Sequence, residues 1–112
     1  MISEDKHEGP VCEVFHRAIE LIGRRWTGAI ISALSRGEMR FCEVREAIPG
    51  VSDRLLTERL KELERHDIVA RKVHSTRPVT VIYSLTPKGV ALGPVLDAVS
   101  EWAAVWEGHP TA

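Results

Sequence analysis

Three observations predict a mostly α fold with one small β-hairpin, an α+β arrangement. Apolar residues recur at helical spacing in five separate segments between Phe15 and Trp106. Two β-prone runs, 68–73 and 79–85, flank a short polar turn. A Pro49-Gly50 break separates two helical patterns by only a few residues, and Ser52 stands ready to cap the second.

Taken in order, Phe15, Ala18, Ile19 and Ile22 lie at i, i+3, i+4 and i+7 and predict a first amphipathic helix that stops near Gly23. Trp26, Ile30, Ala33 and Leu34 repeat the pattern, with Thr27 near the start and Gly37 closing it. Glu38 to Arg40 reads as a short extended link. Phe41, Val44 and Ile48 form the inward side of a third helix, which Pro49-Gly50 ends. In the fourth, Ser52 is the N-cap, Asp53 places negative charge in the first turn, and Leu56, Leu60 and Leu63 define the buried side. Arg54, Thr57, Glu58, Lys61 and Arg65 fall at about 100–200° from Leu56 around the helix axis and project outward.

The hairpin follows directly, with His74-Ser75-Thr76-Arg77-Pro78 as its turn. Thr86-Pro87 then starts a last helix as N-cap and first-turn proline. Leu92, Val95, Leu96, Val99, Trp102, Ala103 and Trp106 make one apolar stripe along it, kinked at Gly93-Pro94.

Two helices joined by a tight turn, with a β-ribbon after the second, describe a winged helix-turn-helix. Such a unit inserts its second helix into the major groove of DNA while the ribbon reaches neighbouring phosphates. The residues that would meet double-stranded DNA are Arg40, Ser52, Arg54, Thr57, Glu58, Lys61, Arg65 and the turn residue Arg77. Several have a plainer reading. Arg40 can touch a phosphate or pair with Glu43. Glu58 can accept from a cytosine amino group, although a pair with Lys61 is favoured. Arg45 and Glu46 read as solvated, and Trp26 as core.

A domain this small has enough elements to cover its core without the ends of the chain. Phe15 and Ile19 on the first helix, with Leu92, Val95, Leu96, Val99, Trp102 and Trp106 on the last, are therefore assigned to a two-fold homodimer. That pairing would set two recognition helices about 34 Å apart for a palindromic operator.

Composition is that of a soluble globular protein, at 44% hydrophobic and 28% charged residues. A single domain is expected over 12–107, with a flexible arm at 1–11 and a short tail at 108–112. The formal net charge is −1, low for a nucleic-acid partner, but residues 36–78 hold ten basic against eight acidic side chains. The near-neutral total also suits a second reading, a winged helix used only to bind proteins. No apolar run approaches the ~20 residues of a membrane span, and the acidic start is unlike a signal peptide. Two cysteines fit a reduced, cytoplasmic setting. No phosphate loop, zincin motif or nucleophile elbow points to an enzyme, and no cofactor is called for. Cys12 and His16 share metal-compatible spacing but lack further ligands, so no metal is expected.

The chain resembles the HxlR family of bacterial winged helix-turn-helix transcription regulators. Leu21-Ile22-Gly23-Arg24-Arg25-Trp26-Thr27 is similar to that family's LIGGKWT signature, and Arg40-Phe41-x-x-Val44 to its RFxEL. Ile48-Pro49-Gly50-Val51-Ser52 resembles IPGIS, Leu56-Thr57-x-Arg59-Leu60-x-x-Leu63 resembles LTxRLxxL, and Tyr83-Ser84-Leu85-Thr86-Pro87-x-Gly89 resembles YSLTPxG. The likeness runs in register from about 12 to 106. It implies a homodimer that represses or activates transcription, with repression the favoured sign. Arg24 stands where Gly is usual, and Cys42 where a small polar or acidic residue is usual.

Many members of the family carry a cysteine at the place of Cys12, and in some it senses oxidants or electrophiles. A helix N-terminus lowers a thiol pKa, and Arg24 or Arg25 would add to the effect while Glu13 opposes it. The alternative is a thiol with no chemistry. A bond between Cys12 and Cys42 would need Cα atoms within about 7 Å. A small-molecule effector or an oxidant is thus a candidate partner.

Overall fold

The inward-facing residues of the second, third and fourth helical patterns converge on one core. The computed structural model describes residues 11–75 and 77–108. The elements are α1 (Glu13–Ile22), α2 (Thr27–Leu34), β1 (Met39–Arg40), α3 (Phe41–Ala47), α4 (Asp53–Arg65), β2 (Val69–His74), β3 (Thr80–Leu85), α5 (Pro87–Val90) and α6 (Gly93–Trp106). Ile30 and Ile31 from α2, Val44 from α3, and Leu56, Leu60 and Leu63 from α4 are all at most 1% exposed. Ile48, Val51, Ile68 and Val69 close the core around them.

Local chemistry sets the boundaries of the central helices. Ser52 Oγ accepts from the Leu55 N–H at 3.1 Å, satisfying a donor that a helix start leaves orphaned. The turn before it needs Gly50, whose φ is +97° and whose α-carbon faces the Trp26 ring. Thr86 Oγ1 accepts from the Gly89 N–H at 3.1 Å and donates to the Asp67 carbonyl at 2.6 Å. It therefore caps α5 and ties it to the loop after α4. Gly89 lies so close to the Ile68 carbonyl that a β-carbon would collide with it.

The sheet is larger than the hairpin expected. The link at Met39–Arg40 is a strand that pairs antiparallel with β3, giving the order β1-β3-β2. Met39 lies opposite Tyr83 and Arg40 opposite Ile82, while β2 runs in register from Val69↔Leu85 to His74↔Thr80. Two residues are too few for an alternation pattern, so the strand is visible only through its partner.

The last helix also differs. Gly93-Pro94 does not kink a continuous helix; it begins a new one, with Pro94 in the first turn, where its missing N–H costs nothing. Leu92 and Leu96, expected at a subunit interface, pack on the core of their own chain. The remaining α6 residues of that set stay outside, Trp102 at 58% and Trp106 at 71% exposed, together with Val105. Neither α1 nor α6 buries a single residue. The radius of gyration is 16.4 Å, against about 13 Å for a compact domain of roughly this length. Of the expected N-terminal arm only Val11 is among the described residues, and of the tail only Gly108.

Candidate nucleic-acid interface

The outer side of α4 is built as the 3.6-residue period requires. With Leu56, Leu60 and Leu63 fully buried, Arg54, Thr57, Glu58, Lys61 and Arg65 are all exposed along the opposite side. The Arg54 side chain is 88% exposed, and its Nε lies 3.4 Å from Glu58 Oε2. Glu58 thus pairs with Arg54, one turn back, and not with Lys61. An ion pair this exposed is worth little and can be exchanged for a better anion. The side chains of Lys61 and Arg65 make no hydrogen bond or ion pair among the described residues. Ser52 Oγ accepts from the Leu55 N–H, so its hydroxyl caps and positions the helix.

Arg45 is more specific than a solvated charge. Its Nη1 donates to Asp53 Oδ2 at 3.1 Å and Oδ1 at 3.2 Å, clamping α3 to the first turn of α4. The guanidinium also lies 6.0 Å from the Phe41 ring centre. The pair links the two helices of the motif across their turn. Spacing could not show it, because the partners are eight residues apart on different helices.

Arg40 resolves toward its neighbour. Its N–H donates to Glu43 Oε1 at 2.8 Å, and its side-chain Nε lies 3.5 Å from the same oxygen. The backbone donor, aided by the guanidinium, holds the Glu43 carboxyl below its usual pKa. Arg40 remains exposed and stands in a cross-strand row with Ile82 and Lys72. Residues aligned across a sheet share a face, so Arg40 and Lys72 flank Ile82 on one side of the wing. On the other side Arg71 lies opposite Tyr83. Both Arg71 and Lys72 are exposed basic residues, and in the sequence they stand only as part of a β-prone run. The available signal was two consecutive charges in a run otherwise rich in Val and Ile. Arg77 is exposed in the loop joining β2 and β3.

At the other end of the motif, the junction between α1 and α2 grips α4. Trp26 adopts φ +78°, in the left-handed region that a bulky residue rarely visits. Its ring packs against the core, and Arg25 lies 4.7 Å from its centre. This turn brings Arg24 Nε to 3.3 Å from Glu62 Oε1 and lets Arg59 Nε donate to the Arg25 carbonyl at 3.0 Å.

Cys12 is the exposed N-cap residue of α1. The N–H groups of Phe15 and Val14 lower its pKa from the ordinary thiol value, and the charge of Arg17 acts in the same direction. The helix-start effect is as expected, but the arginine is Arg17, one turn on, in place of Arg24 or Arg25. Cys42 is half-buried, and both thiols are free. Among the described residues no three His, Cys, Asp or Glu side chains gather as a metal site would need.

The HxlR-like helix-turn-helix family profile matches residues 21–110. This chain belongs to that family. The uncharacterised HTH-type transcriptional regulator YvaP of Bacillus subtilis (strain 168) is 42% identical over 100 residues, covering 89% of this chain and 93% of that protein. The HTH-type transcriptional regulator YodB of the same organism is 47% identical over 93 residues, 83% of each chain. Among solved structures, the reduced form of B. subtilis YodB superimposes with a TM-score of 0.79 at 45% identity, covering 87% of this chain and 95% of that one. YodB is also known diamide-treated and quinone-bound, and the redox regulator HypR in its reduced and oxidised forms. This HxlR chain is therefore a DNA-binding transcription regulator with a winged-helix fold, and its family is not one of enzymes. No described helix is long and apolar enough to cross a membrane.

Proposed function

We propose that this HxlR protein is a cytoplasmic homodimer that represses transcription from a palindromic operator and changes its DNA affinity when Cys12 is modified by an oxidant or electrophile. The single observation that carries the DNA-reading part is the outer side of α4, five exposed polar side chains above a fully buried leucine row. Arg54, Thr57, Glu58, Lys61 and Arg65 read or position on the major groove. Ser52 and Arg40 stand at its edge, and Arg77 on the wing reaches the next phosphates.

Support for the dimer comes from the first and last helices. Val14, Phe15 and Ile19 on α1, and Val95, Val99, Trp102, Val105 and Trp106 on α6, are all more than 40% exposed. So much unpartnered aromatic and aliphatic surface is characteristic of an interaction face. A second copy supplies a self-complementary partner and a second α4 for the other half-site. Support for the thiol switch comes from the lowered pKa of exposed Cys12 and from the states in which YodB and HypR have been solved. Cys12 sits on α1, one turn from Phe15 and His16, so its modification would bear directly on the dimer face.

The test is a gel-shift titration with the duplex that the wild-type protein selects from a random pool. Arg54→Ala/Lys61→Ala/Arg77→Ala is expected to abolish the shift while sedimentation shows an unchanged dimer. Normal retardation by this triple variant would refute the groove assignment and favour a protein-binding winged helix. Treating wild type and Cys12→Ser with a quinone separates the sensing part, because only wild type should lose the shift.

A further inference from the structure

We propose that Arg24, from the α1–α2 junction, is a DNA-backbone contact that joins Lys61 and Arg65 in holding one phosphate beside α4. This rests on the reading of α4 as the groove-facing helix, and it adds a residue from outside the helix-turn-helix to the DNA surface.

A concavity of about 230 Å³ opens along the flank of α4, lined by Arg24, Glu58, Arg59, Lys61, Glu62 and Arg65. Four of these six side chains are cationic. Both carboxylates are already engaged, Glu58 by Arg54 and Glu62 by Arg24. Arg59 is turned to the Arg25 carbonyl. Lys61 and Arg65, one turn apart on the exposed side, are the charges left unmatched among the described residues. The concavity therefore has an excess of positive charge with no internal anion to meet it.

Arg24 is prepared for such a role. Its Nε lies 3.3 Å from Glu62 Oε1, an ion pair without hydrogen-bond geometry; the Glu62 side chain is only 17% exposed and the Arg24 side chain half exposed. The two terminal nitrogens of the guanidinium are the fork that grips phosphate oxygens. Attraction to the Glu62 carboxylate keeps the guanidinium beside α4, which lessens the rotamer freedom lost on contact, the usual cost of using a long side chain. The left-handed turn at Trp26 follows Arg24 at once, and the Arg25 carbonyl between them accepts from Arg59 Nε, so the junction lies against α4. A free anion could fill the same concavity. The backbone of the duplex is favoured because Lys61 and Arg65 extend from the groove-facing side, so a phosphate bordering the groove would lie between them and Arg24.

The experiment measures binding to the selected duplex and to a scrambled duplex of equal length across a salt series. For Arg24→Gln, the slope of log K against log salt is expected to shrink by about 0.9 on both duplexes, the change for one phosphate. The ratio of specific to scrambled affinity should stay the same, since a phosphate carries no sequence information. Arg24→Lys should restore most of the slope. Glu62→Gln keeps Arg24 but removes its anchor, and is expected to bind at least as steeply as wild type. An unchanged slope in Arg24→Gln would overturn the contact while leaving the groove reading intact. Equal losses in Arg24→Gln and Glu62→Gln would also overturn it, by showing that the pair merely braces α4. A wild-type slope near zero would instead sink the DNA reading of α4, and this contact with it.

Discussion

The middle of this protein and its two ends carry the same kind of amphipathic pattern, yet the structure treats them oppositely. In α2 to α4 the apolar side meets other parts of the same chain, and Leu56, Leu60 and Leu63 vanish from solvent. In α1 and α6 an equally regular stripe stays open, with Phe15 at 55% and Trp102 at 58% exposed. Burial of a large side chain is worth about 1.5–3 kcal/mol, so the middle gains its stability on folding, and the proposed dimer would draw its own from the ends. Periodicity shows that a helix has a side to hide; it does not show what hides it.

The contrast can be broken by removing one side chain from each region. Leu60→Ala, in the closed middle, is expected to destabilise the fold by about 2–5 kcal/mol through lost transfer energy and a residual cavity. A urea titration followed by far-ultraviolet circular dichroism would show the midpoint falling without much change in slope. Trp102→Ala, on the open end, should leave the folding of the single chain almost unchanged. It should weaken self-association by about 2 kcal/mol, on the order of 30-fold, read by sedimentation over a range of concentrations. If Trp102→Ala unfolded the chain as Leu60→Ala does, the division into middle and ends would be wrong.

Smaller effects sharpen the same division. Ser52→Ala removes the N-cap of α4 and is expected to cost about 1 kcal/mol of stability. Because that cap also aims the helix, operator affinity should fall by more than the stability loss explains, checked by gel shift well below the melting temperature. At the open end, the lowered pKa of Cys12 means that its thiolate persists below the ordinary thiol range. Maleimide labelling of Cys12 should therefore rise with pH to a midpoint below that of a free thiol, and outpace labelling of half-buried Cys42 near neutrality. Equal, slow labelling of both positions would remove the chemical basis for sensing at Cys12.

Much of the candidate interface is legible in the sequence itself. The leucine row set the rotation of α4, and that rotation alone sent Arg54, Thr57, Glu58, Lys61 and Arg65 outward. Caps at Ser52 and Thr86 were readable because each is a contact within three residues. What stayed hidden depends on partners far apart in the chain. Met39–Arg40 is a strand only because β3 lies beside it. Arg45 is a clamp because Asp53 begins the next helix, and Arg24 is a candidate contact because a left-handed turn lays it against Glu62.

The chain alone therefore determined the helix faces, their caps, the turn of the motif and the family signature, all written in spacings of a few residues. Only the tertiary structure decided which apolar stripes close on themselves, that Leu92 and Leu96 belong to the core while Trp102 and Trp106 do not, and which arginine stands beside which acid. The physical reason is range. Helix period and capping are local, with energies set by neighbours along the backbone, whereas burial and ion pairing depend on whatever the fold brings across from elsewhere.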